Sequence, residues 1–190
     1  FNSSELASET PVFSKFLDSI CVDTNLQPDP AMKIIMQEMF GYYILGGKLT
    51  GEAFFLLGEG NNGKNVIIDL LAEIIGKEYV SAMSIQNLTT DKWKPIELIG
   101  KKLNICGEEQ SKYMQLGVFK DILTGGLIDC QRKYGGSFKF RSNTRFLFGT
   151  NRLPVLDQIG KNIKRRFKII RFNKVIEEKD QDKMLLEKLT

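Results

Sequence analysis

Gly58-Glu59-Gly60-Asn61-Asn62-Gly63-Lys64-Asn65, entered from the apolar run Ala53–Leu57 (AFFLL), decides the fold. The octet fits the pattern G-x-x-x-x-G-K, which carries weight only between a strand and a helix. Both are in place. Ala53–Leu57 is apolar at every position, as a strand covered on both faces must be. An amphipathic helix follows over Gly63–Ile75. Glycines let the loop turn tightly and bring backbone N–H groups to a phosphate, and the helix N-terminus adds unpaired donors and a favourable dipole. Lys64 adds a positive charge. Gly58 through Asn65, together with Val66, are therefore the candidate nucleotide-binding residues.

Asn65 departs from the pattern, which usually places Ser or Thr there to bind Mg²⁺ through a hydroxyl. An amide oxygen can also coordinate that ion. Farther along, Leu103–Cys106 reads as a strand ending in Gly107-Glu108-Glu109. A Glu pair after a strand is by itself an ordinary solvated loop, but this pair sits at the C-terminal end of a second strand. There one carboxylate can orient Mg²⁺, making Asn65 and Glu108 the candidate metal ligands, and the next can accept a proton from water. A third strand, Arg145–Phe148, leads to Asn151, which can bond an attacking water or a phosphate, though taken alone it is a turn-forming Asn before a proline. Lys164-Arg165-Arg166 precedes a fourth, Phe167–Phe172. These arginines suit charge developing on a transferred phosphoryl, or simply a helix C-terminus.

Upstream, residues 11–22 and 30–46 carry apolar residues at helical spacing, broken by Pro28 and Pro30 and closed by Gly46-Gly47. Strands alternating with helices from residue 53 imply a mostly parallel sheet with helices on both sides. Apolar residues make up 42% of the 190 and charged residues 26%, which suits one globular domain with a full core. No apolar run is long enough to span a bilayer. Three scattered cysteines and no histidine argue against a zinc site. They suit reduced thiols in a cytoplasmic setting. The net charge of +4 permits a polyanionic partner without requiring one. The chain starts at Phe1 without Met and stops within the charged stretch Glu178–Thr190, so a piece of a longer protein is expected. Arg132-Lys133-Tyr134-Gly135-Gly136 followed by Ser-Phe-Lys139 reads as a β-hairpin around a Gly-Gly turn. Its cations and aromatic suit a single strand of nucleic acid.

GEGNNGK, NICGEE, FKDILTGGLIDCQRKYGGSFKF, FLFGTNRLP and RRFKIIRF, in this order, resemble the superfamily 3 helicases, above all the primase-helicases of phages, plasmids and large DNA viruses. The resemblance covers residues 13–173. It implies an AAA+-like P-loop NTPase core and a homo-hexameric ring with ATP and Mg²⁺ between subunits. By position, Lys64 would bind phosphate, Glu108 and Glu109 would serve the metal and the water, and Asn151 would be the sensor. Arg165 or Arg166 would be a finger reaching the next subunit's ATP, with Arg166 favoured. Arg132, Lys133, Tyr134 and Lys139 would lie on a hairpin gripping single-stranded DNA in the pore. Leu127 stands where the family usually has Asp.

The expected organisation is an N-terminal helical region over 1–50, the ATPase core over 51–175 with its β-hairpin insertion, and the start of a helical segment over 176–190. The implied function is a DNA-translocating replication motor of a mobile element in its host's cytoplasm, with a primase fused to it or beside it, and no membrane. Two alternatives stand beside it: a DNA-gripping scaffold that binds ATP without hydrolysis, and an AAA+ ATPase that remodels protein.

Overall fold

The computed structural model describes residues 10–110, 115–132, 135–152 and 164–189. In chain order these form α1 (Pro11–Ile20), α2 (Pro30–Ile44), β1 (Ala53–Leu57), α3 (Lys64–Ile75), β2 (Val80–Ser81) and α4 (Ile85–Thr90). Then come β3 (Leu103–Cys106), α5 (Leu116–Leu123), β4 (Leu127–Gln131), β5 (Ser137–Arg141), β6 (Arg145–Thr150), β7 (Phe167–Arg171) and α6 (Leu185–Leu189). Pro11 and Pro30 open the first two helices, where a missing N–H costs nothing. Asp29 caps α2 by accepting from Met32 N at 3.0 Å. α1 stops at Ile20, short of the periodic stretch that runs to Val22, because Val22 pairs with Pro28 in an isolated bridge. α2 ends at Ile44, ahead of Gly46 and Gly47, whose φ of 71° and 90° are left-handed.

Five strands form one sheet in the order β2-β3-β6-β1-β7, and every pairing is parallel. Alternation along β1 divides the interior in two. Phe54 and Leu56 join a core made with Phe16 and Ile20 of α1, Met36 and Met39 of α2, and Ile67 and Leu71 of α3. Ala53 and Phe55 join the other, with Ile85 and Leu88 of α4 and Phe119 and Ile122 of α5. The first two helices therefore share the core of the sheet. The second core is aromatic: Phe55 stacks on Phe148 with centroids 5.1 Å apart, and Phe119 meets Phe146, Phe148 and Phe167 edge-on. Each of these buried rings contributes roughly 1.5–3 kcal/mol. Burial also pushes the Cys21 and Cys106 thiols up to about 11, so both stay protonated.

Parallel strands share one C-terminal edge, where the chain leaves β1 toward β2 at one end of the sheet and leaves β6 toward β7 at the other. The gap between β1 and β6 is therefore a switch point, where α/β sheets hold ligands. The hairpin forms where the sequence indicates, as a separate two-stranded sheet with Asp129 opposite Lys139 and Cys130 opposite Phe138. Ile128 and Cys130 are buried beneath it, while Asp129, Ser137, Lys139 and Arg141 are exposed. Lys133 and Tyr134, expected at its tip, lie outside the described residues. Among the described residues no helix is long and apolar enough to cross a membrane.

Candidate nucleotide-binding cleft

The loop after β1 is fastened on both sides before it turns. Gly58 N donates to Thr150 O at 3.1 Å, Phe172 N to Leu57 O at 2.7 Å and Ile176 N to Asn61 O at 2.6 Å. A Cβ on Gly58 would fall 2.6 Å from Phe172 O, so only glycine lets the chain pass. Gly63 takes φ +85° and lies so close to α1 that a Cβ would meet Ile20 Cγ2 at 2.9 Å. Glycine is thus required at both ends of the loop, by close approach at one and by handedness at the other.

Lys64 begins α3, and its side chain folds back under the loop. Its Nζ donates to Gly58 O at 2.5 Å, Glu59 O at 2.8 Å and Asn62 Oδ1 at 3.0 Å. Burial lowers its pKa below the ordinary lysine value, and the Glu108 carboxylate opposes that shift. A buried ammonium has only neutral oxygens for direct partners here, so the charged oxygens of a polyphosphate are stronger ones. Around it opens a cleft of about 1170 Å³, lined by Gly60 through Val66, Gly107, Glu108 and Asn151. Asn65 is exposed at the first turn of α3. Among the described residues no cluster of three or more His, Cys, Asp or Glu is arranged to hold a metal. Mg²⁺ shared with nucleotide phosphates needs only one or two protein oxygens, which Asn65 and Glu108 would supply.

The remaining candidates separate. Glu108 is exposed, but Glu109 is buried and turned away, with Oε2 accepting from Ile85 N at 2.8 Å. Its main chain ties the turn to β6: Glu109 N donates to Gly149 O at 2.6 Å, and Thr150 Oγ1 donates to Glu109 O at 2.8 Å. That stitching places Glu108 and Asn151 on one wall. Arg165 and Arg166 stand at the start of β7, on the sheet edge opposite the loop. Arg165 is exposed, whereas Arg166 donates through Nη1 to Gly51 O at 2.9 Å. On the hairpin, the Arg132 guanidinium lies 5.1 Å from the centre of the Phe138 ring.

Two parts of the wall have no sequence signal. Lys15 and Ser19 of α1, and Asn173 through Glu177 after β7, also line the cleft. The spacing over residues 11–22 reads only as a helix, and nothing in it says which sheet edge the helix covers. The Ile176–Asn61 hydrogen bond is a tertiary contact of the same kind.

A family model described as "Family of unknown function (DUF5906)" matches residues 56–166. No curated protein matches the chain. Among solved structures, two apo structures of the NrS-1 C-terminal region superpose with TM-scores of 0.65 and 0.67 at 21% identity, over 94% of this chain and 41% and 42% of theirs. A small-molecule complex of JCV Helicase superposes with a TM-score of 0.56 at 14% identity, over 88% of this chain and 46% of that one. The chain spans less than half the length of these relatives, and what it shares with them is the mixed α/β fold around a parallel sheet.

Proposed function

The chain belongs to the family of unknown function DUF5906, and we propose that it is the ATP-hydrolysing motor of a DNA helicase from a phage, plasmid or other mobile element. The observation that carries this reading is the cleft. A buried, partly desolvated lysine, a glycine-gated loop at a helix N-terminus, Glu108 and Asn151 converge at the switch point of the sheet. Lys64 would hold the β- and γ-phosphates, Asn65 and Glu108 would hold Mg²⁺, and Asn151 would orient the attacking water. The fold shared with JCV Helicase supports a helicase over other uses of such a cleft. The basic hairpin, with Arg132 and Lys139 described and Lys133 and Tyr134 between them in sequence, supports single-stranded DNA as the track. The opposite placement of Arg165 and Arg166, neither of which lines the cleft, supports sites shared between subunits, and the resemblance makes the assembly a homo-hexameric ring.

The test is ATP turnover with and without a poly-dT oligonucleotide, for the parent chain and for Lys64→Ala. DNA-stimulated turnover that Lys64→Ala abolishes is expected. A folded Lys64→Ala chain that hydrolyses ATP at the parent rate would overturn the assignment. Asn65 favours a second reading, a DNA-gripping scaffold, whose signature is ADP binding by the parent chain with no turnover at all. Turnover indifferent to DNA would instead point to a remodeller of protein.

A further inference from the structure

The two acids of the Glu108-Glu109 turn face opposite ways, and the buried one is bonded to a helix. Glu109 is only 2% exposed, and its Oε2 accepts from Ile85 N, the first N–H of α4. Burying a carboxylate is expensive unless it is hydrogen-bonded, so this contact is a strong constraint on both partners. β3 grips the same segment two residues earlier. Asn104, fully buried, accepts from Ser81 Oγ and Met83 N, both at 3.0 Å, and donates to Met83 O at 2.9 Å.

The turn just past the far end of α4 is gripped by the hairpin. Gln131 N donates to Lys92 O at 2.8 Å, and Cys130 Sγ lies 3.6 Å from Trp93 O. Along its length α4 meets α5: Gln115 N, at the N-cap of α5, donates to Thr89 Oγ1 at 3.3 Å, and Ile85 and Leu88 lie in one core with Phe119. A six-residue helix is only about 9 Å long, so its two ends cannot move independently.

We propose that Glu109 is a positioning residue that couples the nucleotide cleft to the β4–β5 hairpin through α4. The inference rests on the reading of the cleft as an ATP site. A shift of the acid turn on nucleotide binding drags Ile85, and the helix carries the displacement to Lys92 and Trp93, on which the hairpin hangs. Packed elements transmit small shifts in this way because they move as units. Trp93 is the sole tryptophan of the chain, so its emission reports on the link directly.

The experiment compares the parent chain with Glu109→Ala, Glu109→Gln and Ile85→Pro. Glutamine keeps an acceptor oxygen. Proline at the first helical position removes the donated N–H while suiting the backbone, since Ser84 before it has ψ 159°. Two quantities are read: the change in Trp93 emission on adding MgADP, and the ratio of turnover with poly-dT to turnover without it. Loss of the emission change and a fall of the ratio to about one in Glu109→Ala and Ile85→Pro, with both kept in Glu109→Gln, is the expected result. A parental emission change in Ile85→Pro, or in Glu109→Ala should the proline chain not melt cooperatively, overturns the proposal. So does loss of turnover in Glu109→Gln with the emission change intact, because the carboxylate would then act on water. If the parent chain binds MgADP but shows no turnover, the motor reading fails and the emission change alone still decides the link.

Discussion

Lys64 has two sets of partners to choose between. Three loop oxygens hold its ammonium now, and phosphate oxygens would hold it better. Lys64→Ala leaves those loop oxygens to water, which the open cleft admits, so the expected stability loss is small, about 1 kcal/mol. Turnover is expected to fall at least about 100-fold, as when a preorganised charge stabiliser is removed. A melting curve and a turnover assay on one preparation check both halves. The lowered pKa of Lys64 adds a pH effect with opposite signs in folding and binding. Between that value and the unfolded lysine value near ~10.4, the unfolded chain binds more protons than the native one. Stability contributed by this group therefore rises with pH across that window. Phosphate affinity falls across it, because the charge is lost, and MgADP titrations at rising pH are expected to show the weakening. Asn65 gives a second residue-scale prediction. Asn65→Thr restores a hydroxyl at an exposed position and is expected to keep or raise Mg²⁺-activated turnover; a much weaker response in an Mg²⁺ titration would make Asn65 a specific adaptation.

The acid turn and Asn151 belong to two strand ends that nearly touch. A Cβ on Gly149 would fall 2.4 Å from Gly107 O, a backbone atom that cannot rotate away. Gly149→Ala is expected to cost about 1–3 kcal/mol, a typical overpacking penalty. It is also expected to lower turnover well beyond the loss of folded protein, since it pushes Glu108 from Asn151; equal losses would mean that the spacing is unimportant. The hairpin is tested at the same scale. Removing Arg132 and Lys139 together is expected to weaken poly-dT binding and flatten its salt dependence by roughly 0.7 per lost phosphate contact on a log–log plot. An unchanged slope would take the hairpin out of the DNA site. β1 was legible to the residue because it is an apolar run between Glu52 and Gly58, and β3 because its short stretch, apolar but for Asn104, is bounded by Lys102 and Gly107. β2 and α4 were not, since two and six residues are too few to display a period. The same limit hid the site's division of labour. Glu108 and Glu109 are chemically alike in sequence, and only the position of Ile85 N makes one a wall of the cleft and the other a tie to a helix. Arg165 and Arg166 are alike in the same way, and Gly51 O separates them.

At the scale of the whole molecule, the sheet has an edge that carries the cleft and an opposite edge, and Arg165 and Arg166 stand on the latter. β7 begins at Phe167 beside Ala53, the first residue of β1, while the loop leaves from the other end of β1. If the cleft holds ATP, a guanidinium at this position would serve it from another subunit. Arg166 is poorly suited, because Nη1 is held by Gly51 O and its Nε is buried without a partner in the described structure. Arg165 is exposed, so if a finger is present the structure favours Arg165 for it, whereas the resemblance favours Arg166. Arg166→Ala is expected to lower the melting temperature, and Arg165→Ala to leave it near the parent value while removing turnover. A mixing experiment decides whether sites are shared. A Lys64→Ala chain has a finger but no working loop, and an Arg165→Ala chain has the reverse fault. In an equal, random ring of head-to-tail contacts, about a quarter of the interfaces join an intact loop to an intact finger. Turnover recovering toward that share on mixing two inactive chains is expected. No recovery, in a mixture shown by native mass spectrometry to co-assemble, would confine each site to one subunit and leave Arg165 without a role in it.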